Sequence, residues 1–320
     1  MRKIIKKLFF QGDTWKIAYR VTKSNILKDV TTPFTILQLP RGYWGADPFL
    51  FEQNGKIYLF FELTDYKKRK SVLACKELFN ESEKINIIYE FAFHCSYPCI
   101  FKYKENIYII PETVQNNEVI LLKCKEFPFI WKCEKKLFTN YKSVDSTIRQ
   151  SGNKLYLLTY DIFNNKFATD IYELNNELNP TQEPIYSRKD AYDIHRPAGH
   201  FIEIGNNEYL RPVQPSNNYY GEKIVFLKGD SEWKEEEVAS ISIKDITLDS
   251  KKKKKYIGLH TYNKSGFVEV IDIAEMSFKP FKVLEFIFRK LRLFGYGLYD
   301  KSGKNIAKKL NSKYFKNSLD

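Results

Sequence analysis

Five residues of the kinds that carry acid–base and anion chemistry recur at a near-constant interval. Asp47, Tyr97, Asp145, Arg196 and His260 follow one another at spacings of 50, 48, 51 and 64. A carboxylate can take a proton from an attacking hydroxyl, and a second can stabilise positive charge as it develops. Arginine and histidine supply cations for a phosphate or other anion, arginine in a bidentate way. Asp alone at a strand entrance is an ordinary turn cap. The whole set at matching positions is different, because gathering such groups costs desolvation that a bound ligand can offset.

More polar residues follow these entry positions. Glu62 and Glu112 end the next strands, and Arg211, Gln214 and Tyr220 form a polar cluster after the fourth entry. Glu62 taken singly reads as a solvated strand end, and Arg211 as a salt-bridge partner. Trp44, Tyr97 and Tyr262 offer aromatic faces on which a sugar ring could stack. Of the remaining histidines, His94, His195 and His200, only His195 sits beside an entry residue.

The elements that must position these residues are strands. The segments 45–62, 95–112, 143–160 and 195–212 share a polar or small entry, a strand, a Gly or Asn turn, and a second strand carrying Tyr58, Tyr108, Tyr156 or Tyr209. Residues 258–272 follow the pattern more loosely, after an insertion containing Lys251 to Lys255. Phe49 and Phe51, then Ile57, Leu59 and Phe61, alternate with period two. Glu118 to Lys123 and Trp131 to Lys136 read as the outer strands of a four-stranded unit. One such sheet cannot bury both its faces, so about five units must stack, as the blades of a β-propeller do. No WD dipeptide or Gly-Gly pair is present. Pro48, Pro98 and Pro197 follow three entry residues; proline is tolerated where a strand begins and predicts an extended residue before it. The entry residues would then ring one shared pocket.

Composition agrees and excludes alternatives. The chain has 320 residues, 43% hydrophobic and 28% charged, with 25 Phe and 22 Tyr, which favours strands over disorder. No apolar run approaches the roughly 18 residues of a spanning helix, and the basic start MRKIIKKLFFQGD lacks a signal-peptide cleavage pattern. Cys75, Cys95, Cys99, Cys124 and Cys133 make no zinc-type set and read as reduced core thiols of a cytoplasmic protein. Neither a metal nor another cofactor is expected. The net charge of +13 is spread lysine with no nucleic-acid motif, so nucleic acid is not the expected partner.

The ordered motifs ADPFLFEQNGKIYLFFE, SYPCIFKYKENIYIIPE, VDSTI, HRPAG, RPVQ, YYGEKI and GLHTYN resemble the N-terminal propeller domain of glucosamine inositolphosphorylceramide transferases. That domain is itself similar to the five-bladed propellers of glycoside hydrolase family 43. The resemblance spans about residues 14–275. It implies an all-β fold, a five-bladed β-propeller, and a carbohydrate substrate. By the same resemblance Asp47 matches the general base of the family 43 enzymes and Asp145 their pKa-tuning Asp. Their general-acid Glu lies in the fourth blade, where this chain has Arg196; Glu112 could replace it only from another blade.

The expectation is therefore a basic segment over 1–13, a propeller over 14–276, and a basic, helical C-terminal extension over 277–320. The extension mixes apolar residues with Lys and Arg, and either docks on the propeller or lies at an anionic membrane surface, peripheral at the inner membrane. The strand Thr14 to Val21 is expected to close the last blade. The favoured activity is a glycosyltransferase for cell-surface polysaccharide or glycolipid, using a nucleotide-sugar or sugar-phosphate donor. Asp47 would be the base, Asp145 its electrostatic support, and Arg196, Arg211 and His260 the phosphate ligands. A glycoside hydrolase or phosphorylase, and a non-catalytic sugar-binding propeller, are the rival readings.

Overall fold

A computed structural model describes residues 10–278, apart from positions 30, 69, 164–166, 206, 217 and 250–255, with side chains described from Thr14 to Glu275. The expected C-terminal helical extension and most of the basic N-terminal segment lie outside the described residues. The chain divides into two compact units, the larger of which is Gly12–Met276. Among the described residues no helix is long and apolar enough to cross a membrane.

Four blades are antiparallel sheets whose strand order follows the chain. The first is β3 (Tyr43–Gln53), β4 (Lys56–Asp65), β5 (Lys70–Glu77) and β6 (Asn86–Tyr89). The second is β7 (Ser96–Tyr103), β8 (Asn106–Glu112), β9 (Glu118–Glu126) and β10 (Ile130–Thr139). The third is β11 (Val144–Ser151), β12 (Lys154–Asp161), β13 (Phe167–Leu174) and β14 (Tyr186–Asp190). The fourth is β15 (Ile202–Gly205), β16 (Glu208–Val213), β17 (Lys223–Gly229) and β18 (Glu235–Ser242). The structure is a five-bladed β-propeller, and the second-strand tyrosines hold one register: Phe51 pairs with Tyr58, Phe101 with Tyr108, Arg149 with Tyr156 and Glu203 with Tyr209.

The fifth blade joins the two ends of the unit. Its sheet runs β19 (Tyr256–Gly258), β21 (Val268–Phe278), β1 (Phe10–Val21) and β2 (Thr35–Ile36), with β20 (Tyr262–Ser265) also on β21. The expected closing strand is thus present, four residues longer at its start. A buried knot fastens it. Glu269 on β21 receives Arg20 Nε at 2.8 Å, the Tyr262 hydroxyl at 2.6 Å and the Ile26 amide at 2.8 Å. Each acceptor lone pair used this way avoids an unsatisfied buried group costing about 1–3 kcal/mol.

Burial grades from the axis outwards. The inner strands β7 and β11 are buried on both faces for their first six residues, while the outer β10 and β18 are mostly exposed and carry Lys and Glu. Charged outer strands leave an edge that resists pairing with other chains. Cys75, Cys95 and Cys99 are buried and unpaired as expected, whereas Cys133, on an outer strand, is exposed.

The prolines do something other than hold an extended residue. Asp47 and Tyr97 have φ of 50° and 45°, and Asp145, which precedes Ser146, has 49°. Each sits in a β-bulge: pairing skips between Ala46 and Phe49, Ser96 and Cys99, and Val144 and Thr147. Proline suits the bulge because the N–H it lacks has no ladder partner there. The expectation of extended backbone at Asp47 and Tyr97 is therefore corrected. A left-handed non-glycine residue costs on the order of 1–3 kcal/mol, so something must hold each one.

Candidate active site

What holds them is a chain of carboxylates running from blade to blade. The Asp47 amide donates to Asp272 Oδ2 (2.9 Å), the Tyr97 amide to Asp47 Oδ2 (3.2 Å), and the Asp145 amide to Glu112 Oε2 (3.3 Å). Hydrogen bonds to a charged acceptor are worth roughly 1.5–3 kcal/mol, enough to offset the bulge strain at Asp47 and Tyr97, while Asp145 has the weaker acceptor Glu112. The strained register thus turns each inner-strand amide onto a neighbouring acid. Glu62 and Glu112 occupy equivalent places, opposite Ala46 and Ser96 in the adjoining strands.

At the seam of the first and fifth blades, His260 is buried between two carboxylates. Its Nε2 lies 3.0 Å from Asp47 Oδ1 and its Nδ1 3.0 Å from Asp272 Oδ1. The Nδ1 contact is off the hydrogen-bond direction and is an ion pair rather than a directed bond. Burial pulls the imidazole pKa down, but the charges of Asp272 and Asp47 outweigh it and raise it to about 10. Asp47 shows the reciprocal effect: burial raises it, while His260, Thr261 Oγ1 at 3.1 Å and Arg196 bring it below the usual carboxylate range. Asp272 Oδ1 also receives the amides of His260 (3.0 Å) and Thr261 (2.9 Å). Trp15 closes this seam, its ring 4.1 Å from that of His260.

Asp47, His260 and Asp272 are also the group whose donor atoms, within 4.8 Å of one another, could hold a metal ion. The imidazolium already supplies the positive charge the two carboxylates need. A cation there would have to replace its proton.

At the seam of the third and fourth blades, Asp145 Oδ2 receives Arg196 Nε at 2.5 Å and Gln214 Nε2 at 3.1 Å. Gln214 is fixed by a second bond to the Pro197 carbonyl at 2.8 Å. Burial pushes Asp145 up, against the pull of Arg196 and with the repulsion of Asp47. Arg196 Nη2 also lies 3.7 Å from Glu112. Glu112 is raised well above the ordinary carboxylate range, by burial first and then by Asp145. Glu62 is raised to about 8 by burial and by Asp47, although Ser71 Oγ (2.5 Å) and Thr64 Oγ1 (2.9 Å) donate to it. Asp47 is therefore an ionised acceptor in a ring whose two glutamates are held protonated, which is how an acid and a base coexist at one pH.

Several sequence expectations change. Arg211 does not reach the ring. It is buried, with Nε and Nη2 each 2.7 Å from Glu235 and Nη1 on the His195 carbonyl at 3.0 Å. That bidentate pair ties β16 to β18 and leaves no face for a phosphate. Tyr97 contributes its amide, but its side chain turns into the core. The hydroxyl meets Thr147 Oγ1 at 3.0 Å and receives the Gly199 amide at 2.8 Å, tying the second, third and fourth blades. Tyr262 is likewise spent on Glu269, and half-buried Trp44 packs on the Trp15 cluster. His260 is 3% exposed and already neutralised, so it is a poor anion ligand. His195 pairs with Asp190 at 2.6 Å rather than with the ring.

Arg196 and Tyr220 remain at the mouth. Arg196 keeps 15% of its side chain exposed and lies 5.3 Å over the Tyr220 ring, which is 45% exposed. Tyr220 also meets His260 at 5.0 Å. Gly221 has φ of 76° and no room for a Cβ, which would come within 2.6 Å of Trp15. Sequence reasoning missed Asp272, Thr261 and Trp15. Asp272 had a signal: it stands between Ile271 and Ile273 in an apolar stretch of the last repeat.

Fold and site define a five-bladed propeller whose inner-strand bulges carry a buried ring of acids with one imidazolium and one mouth arginine. Residues 11–272 match the family described as glucosamine inositolphosphorylceramide transferase 1, N-terminal, and the chain belongs to that family. It is 30% identical over 202 residues to glucosamine inositolphosphorylceramide transferase 1 of Oryza sativa subsp. japonica, covering 60% of this chain and 27% of the relative. The Arabidopsis thaliana protein of that name is 35% identical over 131 residues, 40% of this chain and 17% of its own. The match thus spans about a quarter or less of these relatives' length. Among solved structures, a thermostable family-43 glycoside hydrolase superposes with a TM-score of 0.51 at 12% identity, over 74% of this chain and 91% of that one. The GH62 α-L-arabinofuranosidase catalytic domain of Coprinopsis cinerea gives 0.51 and 12%, over 72% and 90%. At such identity these two share the fold.

Proposed function

We propose that this propeller is a carbohydrate-active enzyme that transfers a glycosyl unit at the mouth of the ring, in glycolipid or cell-surface polysaccharide assembly. The observation that carries the reading is the opposed setting of two buried carboxyls. His260 holds Asp47 ionised, while burial and Asp145 hold Glu112 protonated. In this reading Asp47 takes the proton of the acceptor hydroxyl, and Glu112 gives one to the leaving oxygen. Asp145, bound to Arg196, supports positive charge at the anomeric carbon. The donor is an anionic sugar, and Arg196 is its contact, since it alone of the three expected cations reaches the mouth.

The test begins with melting curves in the presence of nucleotide sugars, sugar phosphates and free sugars. A selective rise with one anionic donor, lost in Arg196→Ala, is expected. With that donor, Asp47→Asn should lower transfer about a hundred- to ten-thousand-fold, the usual worth of a general base. Full activity of Asp47→Asn sinks the reading. Binding that survives loss of both Asp47 and Asp145, without turnover in the parent chain, points instead to a sugar-binding propeller. The use of Asp47 as acceptor of the Tyr97 amide, and of Asp145 as acceptor of the Arg196 and Gln214 side chains, favours that alternative.

A further inference from the structure

A cavity of about 540 Å³ lies between the second and third blades, apart from the ring residues. Its size falls among small-molecule pockets. Asn117, Asn140, Lys142, Asp161 and Asp170 supply its polar lining, and Tyr141 and Phe163 its aromatic part. Three of its walls leave the sheet at the end where the ring sits. Asn117 follows Glu112 in the connection from β8 to β9. Asn140 to Lys142 precede Asp145 in the connection from β10 to β11. Asp161 follows Tyr160, which pairs with Val144, the neighbour of Asp145. The Tyr141 amide bonds the Asn117 carbonyl at 2.9 Å, and Ser143 Oγ receives the Tyr160 amide at 3.1 Å, so cavity and ring share one scaffold.

The chemistry of the lining selects its occupant. Asp161 Oδ1 accepts the Phe163 amide (2.8 Å) and Asp170 Oδ1 the Ser187 hydroxyl (2.6 Å). Among the described residues, nothing bonds the second oxygen of either carboxylate, or the side-chain amides of Asn117 and Asn140. Two carboxylate oxygens and two amides are acceptors and donors suited to adjacent hydroxyls. Two acids against one Lys142 disfavour a phosphate. Lys142 itself sits 4.8 Å over the Phe163 ring.

The geometry points to a second glycosyl subsite: this cavity takes the uncharged, polyhydroxylated unit adjoining the one held at the ring. The ring sugar in this inference rests on the function proposed above, whereas the cavity's own chemistry does not. The experiment is saturation-transfer NMR on the full chain with neutral mono-, di- and trisaccharides of glucose, galactose and mannose. At least one oligosaccharide should bind more tightly than its monosaccharide, and Asp161→Asn with Asp170→Asn should cost it about tenfold in affinity, the worth of a hydrogen-bond group. Exposed Asn140→Gly, which suits the left-handed backbone at that position, should act in the same direction without risk to folding, and monosaccharide binding should persist in both. No dependence on sugar length, or unchanged oligosaccharide binding in these variants, overturns the subsite. If cavity variants weaken oligosaccharides while Asp47→Asn keeps full transfer, the ring reading falls and the cavity stands.

Discussion

Asp47 and Glu235 are both buried carboxylates pressed against cations, yet their surroundings differ. Glu235 is met by Arg211 through two 2.7 Å bonds, by Arg188 at 3.0 Å and by the Tyr209 hydroxyl at 3.2 Å. Burial raises its pKa, but Arg211 and Arg188 bring it down to about 2. With Asp190 3.5 Å from Arg188, that cluster sets two acids against two arginines and settles into one charge state. The ring has more acid than cation: Asp47, Asp145, Asp272, Glu62 and Glu112 share His260 and Arg196. Protons must make up the deficit, and Glu62 and Glu112 keep theirs. A buried ion cluster is structural when its charges close, and chemically poised when they do not.

The contrast breaks most sharply at Arg211. Arg211→Ala breaks the bidentate pair and leaves buried Glu235 with Arg188 and the Tyr209 hydroxyl, which should cost about 3–5 kcal/mol of stability. Ring chemistry per folded molecule should persist, because Arg211 touches no ring carboxylate. Denaturant melts alongside specific activity check this. A matching loss of specific activity in folded protein would erase the distinction between the clusters.

Asp272→Asn is the corresponding change on the ring side. It weakens the acceptor of the Asp47, His260 and Thr261 amides and should cost about 1–3 kcal/mol. It should also bring the His260 pKa down from about 10, read by NMR titration. The sign for His260 is set by a folded pKa above the unfolded value near 6.5. Its contribution to stability is fully present below that value and is lost as pH rises through about 10. The Asn variant should lose this alkaline step. A His260 that titrates unchanged would mean that Asp47 alone sets it.

At mildly acidic pH, Glu62→Gln gives the smallest effect. Glu62 is protonated in the folded state up to about 8 but ionises near 4.5 when unfolded. Between these values the folded state binds more protons, so stability falls as pH rises. Neutral Gln can still accept from Ser71 and Thr64 and lacks this dependence. The variant should lie near the parent at pH 5 and exceed it increasingly as pH rises towards 9. Parallel melting curves across that range would show Glu62 to be already ionised.

The sequence was most informative where the repeat is strict. The second-strand tyrosines and entry positions revealed the blades, because strand period and register are local properties of the chain. Asp47, Asp145, Glu112 and Arg196 came from the same reading, and the structure brings them together. Arg211 and Tyr97 went astray because their side-chain direction depends on partners 24 and 50 residues away, Glu235 and Thr147. The bulges were hidden for a related reason. Proline announces a break in pairing, but the positive φ is held by carboxylates of neighbouring blades. Asp272 was hidden by the looseness of the last repeat, where an insertion precedes β19 and Leu259 to Thr261 separate it from β20.

The shared fifth blade also sets an order of events during synthesis. β1 is made before the four blades that follow it, but its partner β21 emerges some 250 residues later. At about 5–20 residues per second that delay is on the order of tens of seconds. Throughout it, the first blades can form while the strand carrying Trp15 and Arg20 has no sheet to join. His260 and Asp272 arrive with that last strand pair. The acid ring is therefore assembled by the final step of closure, so that an incompletely made chain carries Asp47 without the imidazolium that keeps it charged.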